Sequence, residues 1–188
     1  ADLTSLRFSE TANLRKNIDA IAEAGFVPSR PGKVTRNGFF GFLDGCPVVL
    51  LDWRVPPEGP TRFCATVAVL TPLSTLADGI TVLPRRAATD GERFTLSVPT
   101  AVLPSEGTRV LDAVTAWEGK DTARTDRISA LTTSGALVIV ERLDAPLIHL
   151  SDQGETEALK AKLEANLQRL HASSRALIYA AATQTGDA

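Results

Sequence analysis

The sequence predicts an α+β fold: an antiparallel β-meander sheet of five to seven strands, with an N-terminal helix, two short middle helices and a long C-terminal helix packed on it. Two observations lead to this fold. Apolar stripes of helical period lie towards both ends of the chain, and short β-rich runs divided by turn residues fill the middle. The composition, 44% hydrophobic and 22% charged among 188 residues, is that of one globular domain. We divide it into an N-terminal helix (1–27), a sheet region with short helices (34–150) and a C-terminal helix (152–183).

The first predicted helix covers residues 9–25. Ser9 has the side chain of an N-cap residue, and Gly25 suits the left-handed conformation that ends many helices. Three apolar residues between them recur at helical spacing and share one face: Leu14, Ile18 and Ile21. The next segment, VPSRPGK, contains two prolines and a glycine, which indicates a linker or turn.

Residues 34–70 change to a β pattern. Asp44 and Gly45, between GFFGFL and CPVVLLDWR, tolerate positive φ at both central positions of a tight turn, so they predict a hairpin. The segment VPPEGP closes a second hairpin onto TRFCATVAVL, and the three strands form a meander. The uninterrupted apolar run VVLL predicts that this part of the sheet is covered on both faces.

The second half of the sheet region alternates strands and helices. The runs GITVLP and RFTLSV predict two strands, separated by a polar loop. Residues 107–117 and 122–133 predict two short helices, with Val110 and Val114 on the apolar stripe of the first and Ile128 and Leu131 on that of the second. The runs ALVIVER and PLIHLS predict two further strands.

The last predicted element is a long helix over residues 152–182. Ser151 or Asp152 can act as its N-cap, and acidic residues in its first turns complement the helix dipole. Its apolar side chains keep to one face: Leu159, Leu163, Leu167, Leu170, Leu177 and Ile178.

The charge pattern argues against nucleic acid as a partner. The net charge is −2 and no run of five basic residues occurs, whereas nucleic-acid binding relies on basic surfaces. This chain also contains no apolar run of the roughly 18 residues that a membrane-spanning helix needs. Arginine outnumbers lysine by 15 to 5, a bias that suggests a GC-rich bacterial genome.

No motif indicates a catalytic, phosphate-binding or metal site. The patterns G-x-G-x-x-G, G-x-x-x-x-G-K-[ST], H-E-x-x-H, G-x-S-x-G and S-x-x-K do not occur. The histidines, His149 and His171, and the cysteines, Cys46 and Cys64, lack metal-ligand and C-x-x-C spacing. We therefore predict no catalytic residue, no cofactor and no metal, and we expect two reduced, partly buried thiols.

A cluster of aromatic residues is the one candidate binding site. Two interpretations stay open: an apolar pocket or surface for a partner or lipid, and the core of a small sheet covered by the long helix. The chain has only ten aromatic residues and needs them inside, which favours the core. The candidate binding residues are Phe39, Phe40, Phe42, Trp53 and Phe63.

The order of elements, with RNGFFGFLDGCPVVLLDWRV followed by TRFCATVAVL, resembles uncharacterised bacterial domains of unknown function found in membrane-anchored proteins. Their running pattern is G-x-x-x-G-x-P/R-V-x-L-x-D-[WY]-R, here Gly41 to Arg54. The segments ERFTLSV and SGALVIV resemble their later strands, so the similarity extends over most of residues 36–142. It consists of apolar and turn positions, and therefore implies no catalytic residue. It implies a soluble domain beside the inner membrane of a bacterium.

These observations predict a non-enzymatic bacterial interaction or ligand-binding domain, with an unknown protein or a small apolar ligand as its partner. Two alternatives remain: a small hydrolase or transferase whose site is assembled in space, and a structural module that forms homo-oligomers through the C-terminal helix. We expect a cytoplasmic location, with tethering to the inner membrane through segments outside this chain as the alternative. No Met occurs, so we expect either a removed initiator Met or a longer parent chain.

Overall fold

The computed structural model describes residues 7–9, 19–20, 22–26, 38–55, 63–85, 92–120, 122–143 and 156–179. They include one antiparallel sheet, two long α-helices, a short 3-10 helix between the first of these helices and the next strand, and a helical segment at residues 19–23 of which residue 21 is not described. The strands are β1 (Arg7–Ser9), β2 (Gly38–Leu43), β3 (Cys46–Val55), β4 (Phe63–Leu70), β5 (Thr81–Pro84), β6 (Phe94–Ser97), β7 (Ile128–Thr133) and β8 (Ala136–Leu143). The helices are α1 (Pro104–Glu118), the 3-10 helix (Thr122–Arg127) and α2 (Thr156–Tyr179).

The eight strands lie in the order β1-β2-β3-β4-β8-β7-β5-β6. The α+β class and the three-strand meander β2-β3-β4 are confirmed. The meander does not continue through the whole sheet, because β4 pairs with β8 and not with β5. The β5–β6 hairpin instead joins the far side of β7, and β6 forms the edge of the sheet among the described strands.

The hairpin predicted at Asp44-Gly45 is confirmed. Leu43 pairs with Cys46, and Asp44 and Gly45 both have positive φ, 50° and 79°. A second turn of the same kind joins β7 to β8, where Ser134 has φ 53° and is followed by a glycine. Positive φ at both central positions matches the twist of the flanking strands, so each turn fixes the register of its hairpin.

The second predicted middle helix, residues 122–133, is wrong beyond its first turns. Residues 122–127 form the 3-10 helix, and the remainder is strand β7. Burial in β7 alternates with period two: Ile128, Ala130 and Thr132 are buried, and the residues between them are half-buried. The spacing of Ile128 and Leu131 fits a helix as well, but the pairing of β7 with both β5 and β8 decides for the strand.

The N-terminal helix is described only around residues 19–26. Residues 19–20 and 22–23 are helical, and Gly25 has φ 77°, as the predicted helix end requires. Ser9, the predicted N-cap, is the last residue of β1 and pairs with Gly38 of β2, and the predicted first turns that follow it lie outside the described residues. The other residues of the predicted helix lie outside the described part of the chain.

Helices α1 and α2 form where the sequence predicts helices. Helix α1 starts three residues earlier than predicted, at Pro104, because proline is well suited to the first turn, and it ends before Gly119 with φ 69°. Helix α2 confirms the C-terminal prediction over Thr156–Tyr179. The strand predicted for PLIHLS, with His149, lies outside the described residues.

The sheet has a core on each face, as the VVLL run predicts. Leu50, Ala68 and Ile139 belong to one core, which is shared with helices α1 and α2. Leu51, Val67 and Val138 belong to the other, where Ala22 and Phe26 from the N-terminal segment pack against the sheet. The described helical segments therefore lie on both faces of the sheet.

Candidate functional site

The three phenylalanines of β2 do not share one surface. Phe39 packs against the core under α1 and α2, whereas Phe40 and Phe42 point to the opposite face by strand alternation. Phe40 is 39% exposed and Phe42 is 61% exposed. Of the three phenylalanines of β2, Phe40 and Phe42 are therefore the exposed ones, and their role in binding stays a prediction.

Of the other two predicted binding residues, the structure describes the side chain of Trp53 only. Trp53 is 1% exposed and lies in the core on the side of Ala22 and Phe26, where its indole Nε1 has no hydrogen-bond partner. Phe63 pairs with Val55 at the start of β4, and its side chain lies outside the described part. The core interpretation is the better one for Phe39 and Trp53.

A buried carboxylate, which the sequence did not predict, lies at the centre of the largest polar cluster described. Glu141 of β8 is fully buried. Its Oε2 accepts hydrogen bonds from Trp117 Nε1 at 3.0 Å and from an Arg169 terminal nitrogen at 2.7 Å. Its Oε1 accepts from Arg124 Nε at 2.7 Å and lies 2.6 Å from Arg124 Nη2. One carboxylate thus joins β8 to α1, to the 3-10 helix and to α2.

Arg169 also binds α1 directly. Its Nε donates to the Trp117 carbonyl at 2.5 Å, and its guanidinium lies 4.3 Å from the centre of the Trp117 ring. Its Nη1 donates to Asn166 at 2.8 Å. These contacts occupy the guanidinium with partners inside the protein, so the cluster fastens α2 to α1.

A second buried carboxylate, Glu118, connects the end of α1 to the start of β6. Its Oε2 lies 2.8 Å from Arg93 Nη1, an ion pair without the angle of a hydrogen bond. Its Oε1 accepts a hydrogen bond from the Thr125 hydroxyl. The Glu118 side chain is fully buried, whereas that of Arg93 is 35% exposed. Arg93 therefore pairs with a carboxylate beneath it and reaches the surface with the rest of its guanidinium.

A small cavity of about 80 Å³ lies beside the β2–β3 turn, lined by residues that include Cys46, Ser74 and Arg109. Arg109 donates to Ser74 Oγ at 2.7 Å and to the Leu177 carbonyl, and burial lowers the pKa of its guanidinium. Burial also raises the pKa of the Cys46 thiol to about 11. The thiol is therefore protonated at neutral pH and is a poor nucleophile.

His171 forms a contact that its sequence position did not predict. Its Nε2 lies 2.7 Å from Asp44 Oδ2, which connects α2 to the β2–β3 turn. Neither cysteine forms a disulfide, as predicted, and Cys64 is half-buried, whereas Cys46 is fully buried and not partly buried as expected. Cys64 lies opposite Arg54 of β3.

A second, more open site lies between β6 and α1. It is a shallow cleft of about 690 Å³. One wall is β6 and the residues before it, and the other is the C-terminal half of α1. Its lining residues are Arg85, Glu92, Arg93, Phe94, Thr95, Leu96, Leu111 and Thr115. Apolar side chains therefore line the cleft, and charged side chains lie at one end.

The width of this cleft changes along α1. Near the start of the helix, Gly107 lies so close to β6 that a Cβ atom there would be 2.4 Å from Val98 Cγ2 and 3.2 Å from Leu96 Cδ2. One and two turns later, Leu111 and Thr115 are only half-buried and line the open space. The helix and the edge strand thus touch at one end and separate towards the other.

The edge strand directs backbone groups into this opening. Arg85 N–H donates to the Arg93 carbonyl at 2.9 Å, which marks a hydrogen-bonded pair of the β5–β6 ladder. Because such pairs alternate along antiparallel strands, Thr95 and Ser97 also bond to β5. The N–H and C=O groups of Phe94 and Leu96 therefore point away from the sheet, and no described strand pairs with them.

No group of three or more metal-ligating side chains occurs in the described part of the chain. Within the same ranges, no helix combines the length and the apolar character needed to cross a membrane. Comparison with known proteins finds no match: no protein-family model, no curated protein and no solved structure is significantly similar to this chain.

Proposed function

We propose that this protein is a non-enzymatic bacterial interaction domain, which binds a segment of a protein partner in the cleft between β6 and α1. The observation that carries the proposal is the cleft itself, an open site of about 690 Å³ beside a sheet edge, with half-buried Leu96 and Leu111 in its walls. Concave apolar sites with a few polar groups are the usual binding sites of proteins. The resemblance over residues 36–142 supports a bacterial cytoplasmic domain that works near the inner membrane.

Size favours the cleft over the small cavity. A space of about 80 Å³ beside Cys46 holds a few water molecules, whereas binding pockets measure roughly 300–1,000 Å³. The exposed side chains of Phe40 and Phe42 lie on β2, which pairs with β3 along its whole length and with β1 from Gly38 to Phe40. The cleft combines apolar walls with the outward-directed backbone groups of Phe94 and Leu96.

The two fully buried carboxylates are engaged in contacts inside the protein. Glu141 is bound by two arginines and a tryptophan, and Glu118 by an arginine and a threonine. General acid–base catalysis requires a group within reach of the substrate, and both carboxylates are fully buried. The Cys46 thiol is protonated at neutral pH. These features support a binding role over the hydrolase or transferase alternative.

The experiment is a selection from a displayed library of random seven-residue peptides on the immobilised full chain, followed by fluorescence anisotropy with the tightest binder. Thr115→Glu places a carboxylate in the wall of the cleft, and we expect it to weaken binding by at least about 5-fold, because interface residues that matter contribute more than ~1 kcal/mol. Thr108→Glu makes the same change on exposed α1 surface outside the cleft and should bind as the wild type does.

Circular dichroism melts of both variants separate a loss of binding from a loss of folding. A selection that gives no specific peptide contradicts the proposed function. Peptides that bind wild type and Thr115→Glu equally show that the binding surface lies elsewhere on the protein.

A further inference from the structure

We propose that the partner binds in this cleft as an added β-strand: an extended segment pairs with the outer edge of β6, places alternate apolar side chains against α1, and contacts Arg93 with an acidic side chain. This inference rests on the proposed function and specifies how the same site recognises its partner. The occupant is a segment of another protein, and its recognition depends on three features of the cleft.

The first feature is the set of outward backbone groups. Phe94 and Leu96 each direct one N–H and one C=O away from β5. An extended peptide satisfies such groups with its own backbone, which is the chemistry of β-strand addition. A four-residue strand is about 13 Å long, so it can pair with four to five residues of the partner.

The second feature is the apolar wall on one face only. The side chains of Phe94 and Leu96 turn towards α1, whereas those of Thr95 and Ser97 are exposed on the other face. A strand added to β6 would likewise direct every second side chain towards Leu111 and Thr115. The partner should therefore have apolar residues at alternate positions and polar residues between them.

The third feature is the charge at the open end. A bound segment can contact two guanidinium groups there, those of Arg85 and Arg93, and one carboxylate, that of Glu92. Arg85 Nη1 lies 2.5 Å from Glu92 Oε2, so these two charges balance each other. The counter-ion of Arg93 is Glu118, which is fully buried and cannot touch a ligand. A guanidinium has five N–H donors, and the single carboxylate oxygen of Glu118 near Arg93 cannot accept all of them. Arg93 therefore favours an acidic side chain in the partner.

The experiment uses amide hydrogen exchange of the full chain by NMR, with the tightest peptide from the selection above. With free peptide at about 100 times its Kd, we expect exchange at the Phe94 and Leu96 amides to slow by up to about 100-fold, because these amides exchange only when the site is empty. The amides of Thr95 and Ser97 already bond to β5 and provide the internal control.

Two peptide series test the pairing and the charge. Single N-methyl groups placed along the peptide should weaken binding by about 10-fold at every second position, since each removes a bond to the β6 edge there and none at the positions between. Changing the acidic residue of the peptide to lysine should weaken binding by about 10-fold at low salt, and less as the salt concentration rises.

Each outcome decides one point. Peptides that bind without slowing exchange at Phe94 and Leu96, or whose N-methyl variants show no alternation, overturn strand addition and leave the proposed function standing. Equal binding of the acidic and lysine peptides overturns the role of Arg93. A selection without binders overturns both proposals. Light scattering that shows a dimer, with Phe94 and Leu96 protected in the absence of peptide, would assign the edge to a second copy and not to a partner.

Discussion

Replacing Glu141 by glutamine tests whether its buried carboxylate holds the helices on the sheet. Glutamine has almost the shape of glutamate but carries no charge, and one of its two terminal atoms is a donor. In the native protein both carboxylate oxygens accept hydrogen bonds, from Trp117, Arg124 and Arg169. The amide nitrogen of Glu141→Gln would face a donor in either orientation, and two guanidinium groups would lose their counter-ion.

The size of the effect follows from burial. Removing one partner of a buried ion pair typically costs about 3–5 kcal/mol, because the remaining charge stays without compensation. The side chain of Arg169 is 11% exposed and that of Arg124 is 30% exposed. In the variant, water can therefore solvate both guanidinium groups in part, and that of Arg124 more than that of Arg169. We therefore expect the lower end, a loss of about 3 kcal/mol in the free energy of unfolding. For a chain of this length, each kcal/mol lowers Tm by about 2–4 °C.

The assay is urea denaturation followed by tryptophan fluorescence, with Glu92→Gln as the matched control. Glu92 also pairs with an arginine, but its side chain is 71% exposed and that of Arg85 is 39% exposed. Exposed ion pairs contribute about 0–1 kcal/mol, so this variant should unfold almost as the wild type does. A loss below about 1 kcal/mol in Glu141→Gln, or equal losses in both variants, would refute the reasoning.

Two further predictions concern packing and pH. Gly107→Ala should lower the free energy of unfolding by about 1 kcal/mol, because the clash of its Cβ with Val98 outweighs the gain in helix propensity. In a Val98→Ala background, where the clash is relieved, the same change should raise the free energy of unfolding. An increase in the wild-type background would contradict this account. Burial raises the pKa of Cys46 from 9.0 to about 11, so the folded state holds this proton more tightly than the unfolded chain. The stabilisation that this pKa shift provides is complete below pH 9 and is lost as the pH rises towards 11. In urea titrations, the difference in free energy of unfolding between wild type and Cys46→Ala should therefore fall by about 2 kcal/mol from pH 9 to pH 11. A difference that stays constant with pH would contradict this account.

Local turn chemistry explains why much of the sheet was predictable. The Asp44-Gly45 pair fixes a hairpin through its own backbone preferences, without help from distant residues. Strand β7 lacked such a signal at its start, because it follows a 3-10 helix directly and its apolar residues fit two periods. Its identity depends on pairing with β5 and β8, which a local pattern does not contain.

The polar clusters and the cleft depend on tertiary structure in the same way. Glu141 stands in an apolar strand run, which is an unusual place for a carboxylate and the one sequence signal that could have marked it. Its partners, however, come from α1, the 3-10 helix and α2, and no spacing connects them. The walls of the cleft come from β6 and α1, which follow each other in the chain. The gap between them, however, depends on the contacts of Gly107 with Val98 and of Trp117 with Glu141, which no local pattern contains.

The contacts that stabilise the fold also determine the shape of the binding cleft. At the start of α1, Gly107 fits against Val98; at its end, Trp117 is bonded to Glu141, and Glu118 pairs with Arg93 at the start of β6. Helix α1 is therefore held at both ends, and the gap beside Leu111 and Thr115 is open before a partner binds. Preorganisation of this kind lowers the entropy cost of binding. It follows that Glu141→Gln, although distant from the cleft lining, should weaken peptide binding as well as stability, because it releases one end of the helix that forms the wall.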